Sequence, residues 1–236
     1  MWDKCRQCKQ KYHGVVACAL GWACWKTYLG RPETDQIQQL AMSVLGNGLY
    51  DGKHYEDALL VDEARLSLLR RLGAPEEDML VAKSCLASTY NDLGRQQDSL
   101  RMSRDVYSGR LKLYGEEHES TLREANNYAL SLLGLKGFKE ARSVLRKMMP
   151  IARRVLGEGD RLTLKMRWNY ATALCNNTVT GATLDDLREA VTTFEEVERI
   201  ARRVFGDAYP LLGKGSEDNL RRARAALRAR ETPGGA

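Results

Sequence analysis

The stretch Leu113-Tyr114-Gly115-Glu116-Glu117-His118, followed by Thr121-Leu122, Asn126-Asn127-Tyr128-Ala129 and Phe138-Lys139-Glu140-Ala141, decides how this chain folds. Its landmarks return along the sequence. Arg71-Leu72-Gly73, Leu113-Tyr114-Gly115 and Val155-Leu156-Gly157 are spaced 42 residues apart, and Val204-Phe205-Gly206 follows after 49. Leu80, Leu122 and Leu164 each lie seven residues past a marker glycine, and Ala87, Ala129 and Ala171 fourteen past it. A fixed period of this size signals stacked helical hairpins, because one repeat cannot bury its apolar face without a neighbour. The sequence therefore predicts an all-α, right-handed superhelix: a solenoid of antiparallel hairpins.

Within the quoted repeat, the acids and hydroxyl of Glu116 to Ser120 mark a helix start. Thr121 to Leu135 reads as the first helix, with Leu122, Ala125, Ala129 and Leu132 at helical spacing. After the Gly137 turn, a second helix runs from Phe138 to Leu156 and ends at Gly157, with a local bend expected at Pro150. Small residues pair where the two helices cross: Ala129 with Ala141, Ala87 with Ser99, Ala171 with Ala190, and Gly46 with Ala58. The expected organisation is one continuous array. Residues 1–32 form a degenerate, cysteine-containing capping half-repeat, and repeats follow at 33–73, 74–115, 116–157 and 158–206. A basic capping helix spans 207–230 and a disordered tail 231–236. Seven extra residues in the last repeat are placed at Asn176 to Asp186, where turn formers can extend an interhelical loop.

The hairpin plan resembles tetratricopeptide repeats, and its 42-residue period resembles the kinesin light chain variety. The likeness covers about residues 33 to 210. The heptad region through which kinesin light chains hold the motor heavy chain has no counterpart here. The resemblance implies a cargo- or partner-binding array whose first helices line a concave groove. Matched position by position, that groove takes Ser84, Ser88 and Asn91 from one hairpin, Arg123, Asn126 and Asn127 from the next, then Lys165, Trp168, Asn169 and Thr172. Amides suit a peptide backbone, cations its carboxylates and an indole an apolar anchor. The expected partner is therefore a protein or peptide, and an acidic one suits the cations. The same positions also suit a solvated helix face or links between adjacent repeats.

The 236 residues carry 37 basic and 31 acidic side chains, a net charge of +6. That bias is mild and falls short of a nucleic-acid signature. Arg221, Arg222, Arg224, Arg228 and Arg230 crowd the last helix, which makes a nucleic-acid-associated regulator the second reading. A third reading, a zinc-dependent adaptor, comes from Cys5-x2-Cys8, His13 and Cys18-x5-Cys24. The second cysteine pair has the wrong spacing for a zinc knuckle, so neither metal nor cofactor is expected. His13, His54 and His118 sit in unrelated places, and no phosphate loop or nucleophile motif is present, so no enzyme is expected. Without a signal segment or an apolar run of about 20 residues, the chain reads as cytoplasmic, with a nuclear location as the alternative, reduced thiols and no membrane contact.

Overall fold

A computed structural model describes residues 10–176, 182–206 and 214–231. Among them are ten helices: α1 (Gly14–Tyr28), α2 (Gln36–Asp51), α3 (Tyr55–Arg71), α4 (Glu76–Asp92), α5 (Gln96–Tyr114), α6 (Glu119–Gly134), α7 (Phe138–Leu156), α8 (Arg161–Asn176), α9 (Leu184–Phe205) and α10 (Lys214–Glu231). No strand occurs among the described residues. The architecture is all-α, a solenoid of helix hairpins in which neighbouring helices pack on one another within each unit.

The packing groups the chain into two compact units, Met1–Gly109 and Arg110–Ala236. The division falls within α5. Contacts in a repeat stack reach only the neighbouring element, so no long-range core gathers all the helices into one body.

In the second unit the hairpins α6–α7 and α8–α9 are built alike. Ala129 and Ala141 are fully buried at their crossing, as are Ala171 and Ala190, and these small side chains allow close approach. Leu122, Leu145, Met148 and Ala152 fill the first hairpin of this unit, while Leu164, Phe194, Val197 and Ala201 fill the second. Two buried hydroxyls repeat the same tie: Thr121 Oγ1 donates to the Arg110 carbonyl, and Thr163 Oγ1 to the Ala152 carbonyl, each at 3.3 Å. Tyr128 donates to Glu140, and Tyr170 donates to Glu189 at 2.8 Å, so each first helix is clasped to its own second helix. Helix α7 remains continuous through Pro150 and ends at Gly157, whose φ of +95° favours glycine.

A histidine caps α6, as its place at the helix start suggests. His118 is the N-cap residue, and its Nδ1 accepts the Ser120 backbone N–H at 3.2 Å. Ser120 already lies inside the first turn, where its hydroxyl meets the same imidazole nitrogen at 2.7 Å. Helix α9 starts on a reciprocal cap between Thr183 and Asp186, both bonds at 3.1 Å. The Asp186 carboxyl is fixed there and also pairs with Arg142 at 2.7 Å.

The first unit begins with α1 lying on α2 in backbone contact. A Cβ at Gly48 would meet the Ala17 carbonyl oxygen at 2.6 Å, so glycine sets that approach. Leu45, Leu49 and Ala58 form a core with Cys18 and Trp25 against it, and Leu66, Leu69, Ala82, Leu86 and Tyr90 form a second. Ser99 replaces alanine at one crossing, and its buried hydroxyl donates to the Ala87 carbonyl at 2.9 Å.

At the far end, Leu220 and Ala223 of α10 are buried and Leu227 is half-buried, which seats the apolar stripe. Glu231, expected in the tail, is the last residue of α10 and pairs with Arg188 at 3.0 Å. Five residues of the proposed insertion (177–181), the connection 207–213, the tail 232–236, and Cys5 with Cys8 lie outside the described residues.

Candidate functional site

The first helices α6 and α8 carry seven of the ten groove candidates, and they pack side by side. The contact between them is specific. Asn169 Nδ2 donates to Asn126 Oδ1 at 2.8 Å, and both side chains are buried, Asn126 to 4% exposure and Asn169 to 9%. These two residues therefore link adjacent repeats and do not line an open face. The reason is reach: the 42-residue period brings equivalent turns of α6 and α8 together, and an amide is short enough to bridge them.

The remaining candidates of this unit stay at the surface. Arg123 is exposed and pairs with Glu119 one turn earlier. Lys165 is exposed and has no ion pair among the described residues. Asn127 is half-buried, with its Nδ2 donating to Glu124 at 3.1 Å. Trp168 is half-buried, its ring tilted against Phe194 at 4.3 Å between centroids and packed on Leu164, Val197 and Ala201. Thr172 Oγ1 donates to the Trp168 carbonyl at 3.0 Å, an intrahelical bond that leaves its oxygen able to accept another. Arg123 and Lys165 thus stand about one turn before the Asn126–Asn169 link, with Trp168 beside it.

The three candidates of the first unit occupy one face of α4. Ser84, Ser88 and Asn91 are half-buried, exposed and exposed, and Ser88 Oγ donates to the Ser84 carbonyl at 3.3 Å.

One charged group was not singled out in the sequence. Arg167 on α8 is 5% exposed and lies between Glu158, at 3.4 Å, and Glu196 of α9. It stands 42 residues after Ala125, a buried position, and that match was the available signal.

Two arginines of the basic end reach residues outside α10 and a third pairs within it. Arg224 binds Glu195 of α9 at 2.7 Å, Arg230 reaches the Ala182 carbonyl, and Arg221 pairs with Asp218 at 2.6 Å. On α1, Cys18 is half-buried and Cys24 buried; burial pushes the Cys24 thiol pKa up, which works against thiolate chemistry. Burial likewise pushes the Cys175 thiol to about 12. Among the described residues no helix is long and apolar enough to cross a membrane.

Comparison with known proteins agrees with this architecture. The tetratricopeptide repeat model matches residues 79–120. The clustered mitochondria protein homolog of Candida albicans (strain SC5314) is 23% identical over 177 residues, and the match spans 74% of this chain but 12% of that protein. Among solved structures, BtubC (BKLC) from P. vanneervenii superposes with a TM-score of 0.66 at 16% identity, covering 93% of this chain and 94% of that one. A kinesin light chain candidate from Podosopora anserina, with nearly identical TPR-like repeats, gives 0.62 at 17% identity, covering 80% of this chain and 86% of that one. The fold shared with these solved structures is the TPR-like helical solenoid.

Proposed function

We propose that this chain is a non-catalytic interaction scaffold that holds an extended acidic segment of a partner protein along α6 and α8. Tetratricopeptide-like repeats serve as protein-interaction scaffolds, and that general role follows from the fold. The finer reading rests on one observation: the Asn126–Asn169 bond sets α6 beside α8 with the exposed cations Arg123 and Lys165 in matching places. Trp168 offers a half-buried apolar anchor next to them, and Asn127 and Thr172 offer polar groups for a peptide backbone. The Arg123–Glu119 pair presents no serious barrier. An exposed helical pair of this kind is worth about 0.3–0.5 kcal/mol, so a partner carboxylate can displace Glu119.

The test is Arg123→Glu combined with Lys165→Glu. The double variant keeps its helical circular dichroism and loses at least tenfold in affinity for an acidic peptide selected from a library on the native chain. Most of the loss appears in association rate at low salt, where screening is weak. A folded double variant with native affinity at low salt rules the reading out.

A further inference from the structure

The first hairpin has polar residues where its relatives have a core. Aligned on the crossing residues Ala58, Ser99, Ala141 and Ala190, Asp62 takes the place of the buried Ser103 and of Leu145 and Phe194, and Arg65 the place of Val106, Met148 and Val197. All five of those apolar counterparts are fully buried. Counted back from Gly46 in the same way, Gln39 stands where Ala87, Ala129 and Ala171 have Leu80, Leu122 and Leu164. In the hairpin α8–α9, Leu164 and Val197 pack together. In α2–α3, Gln39 and Arg65 instead line a cavity of about 630 Å³, shared with Gln36, Leu40, Ser43 and Asp78.

Arg65 is 9% exposed, and its buried Nη1 has no hydrogen-bond partner. It makes no ion pair among the described residues, and the buried carboxyl of Asp62, 3% exposed, lies nearby without pairing with it. A guanidinium cannot shed its proton to escape this setting. Leaving a buried cation so poorly compensated is strongly unfavourable, and three apolar alternatives at the same position show that the fold does not require it.

We propose that this cavity binds a small organic carboxylate that also carries a hydrogen-bond donor, an amino acid or a hydroxy acid. The carboxylate meets Arg65, for which a planar two-oxygen partner is the natural complement. Gln39 already donates its Nε2 to the Glu33 carbonyl at 3.1 Å, which leaves its amide oxygen able to accept from a ligand. Asp78 places a negative charge on the lining, which disfavours a bare polyanion such as phosphate and favours an ammonium or hydroxyl beside the carboxylate. Leu40, 63% exposed, gives the wall an apolar patch. The volume lies within the range of small-molecule sites, about 300–1,000 Å³. The site uses none of the α6 and α8 residues, so it stands or falls separately from the scaffold reading.

The experiment follows the Arg65 guanidinium by NMR and the melting temperature in the full, isotope-labelled chain. The probes are L-glutamate, L-malate, phosphate, and a leucine-rich tripeptide with a free or an amidated C-terminus. Glutamate or malate at millimolar concentration should shift the Arg65 Nε–Hε resonance and raise the melting temperature, while phosphate does neither. Arg65→Met, whose side chain already occupies the matching position at Met148, should remain helical and bind at least tenfold more weakly. A response to the free but not the amidated tripeptide would assign the carboxylate to a chain end rather than to a free acid. The proposal is overturned if no carboxylate moves the Arg65 resonance, if phosphate alone does, or if folded Arg65→Met responds like the native chain. Should Arg65→Met fail to fold, the resonance in the native chain still decides.

Discussion

The hairpins α2–α3 and α6–α7 share a plan and differ in what fills it. In the later hairpin Leu122, Leu145 and Met148 close the core completely; in the earlier one Gln39, Asp62 and Arg65 occupy the same places, and Gln39 and Arg65 line a cavity. The crossing differs too. A Cβ at Gly46 would meet Asp62 Oδ1 at 2.8 Å, whereas α6 accepts Ala129 at the matching point. A repeat array tolerates such a local substitution because each hairpin needs only its own core and its neighbours. The polar set is therefore a property of one hairpin, and it can be moved.

Moving it into the well-packed hairpin should have the largest effect. Leu145→Asp with Met148→Arg buries two charges with no cavity to admit compensation, and should cost the second unit about 5 kcal/mol or more. Urea unfolding followed by circular dichroism should show that unit melting well before the first; two unchanged transitions would erase the contrast between the hairpins.

The reverse exchange should stabilise. Asp62→Leu with Arg65→Met replaces two buried, unpaired polar side chains by the residues of α7 and should raise the stability of the first unit by about 1–4 kcal/mol. The melting temperature measured by calorimetry should rise accordingly, and a fall would mean that the polar set is integral to the packing of this hairpin.

The same pair sets a pH dependence. Burial raises the Asp62 carboxyl to about 6, above its value in the unfolded chain, against the pull of the Arg65 charge. The folded state therefore holds a proton that the unfolded state releases. The associated stability is complete below about pH 4 and is lost as pH rises through about 6, amounting to about 3 kcal/mol. Asp35 and Asp186, whose carboxyls are held low, act in the opposite sense. The difference between the native chain and Asp62→Leu isolates the Asp62 contribution. In urea titrations from about pH 4 to 7, that difference should shift in favour of the variant as pH rises; a constant difference would place the Asp62 titration elsewhere.

Overpacking at a crossing comes next in size. Ala129→Trp forces α6 and α7 apart and should cost about 1–3 kcal/mol. Gly46→Ala should cost less, because the obstructing atom belongs to a carboxyl that can turn away. Thermal melts of the two variants give the order directly, and equal shifts would mean that the crossings are equivalent.

Much of this was legible in the residues. The 42-residue spacing, the crossing alanines and the helix-ending glycines specify the hairpins because each depends on local conformation and nearest-neighbour packing. The polar cavity was hidden for a definite reason. Helix α3 has one residue fewer than its relatives between its crossing residue and its terminal glycine, Ala58 to Gly73 against Ala141 to Gly157. Counting back from the glycine matches Arg65 with Tyr107 and Met149, and the clash with a core position disappears. The groove candidates divided along similar lines. Exposure of Arg123 and Lys165 follows from helix periodicity, while the union of Asn126 and Asn169 depends on the facing angle of α6 and α8.

The sequence by itself determined the class of fold, the length of its repeat and the small residues at each crossing, since these arise from periodicity and steric size within one hairpin. Tertiary structure alone decided which polar side chains became links, which stayed at the surface and which came to line a cavity. The packing also falls into two compact units that part within α5. The physical reason is that burial depends on how neighbouring helices face each other. An asparagine, arginine or glutamine carries the same hydrogen-bonding groups everywhere, and only its packed surroundings fix whether they meet solvent, another repeat or an empty space.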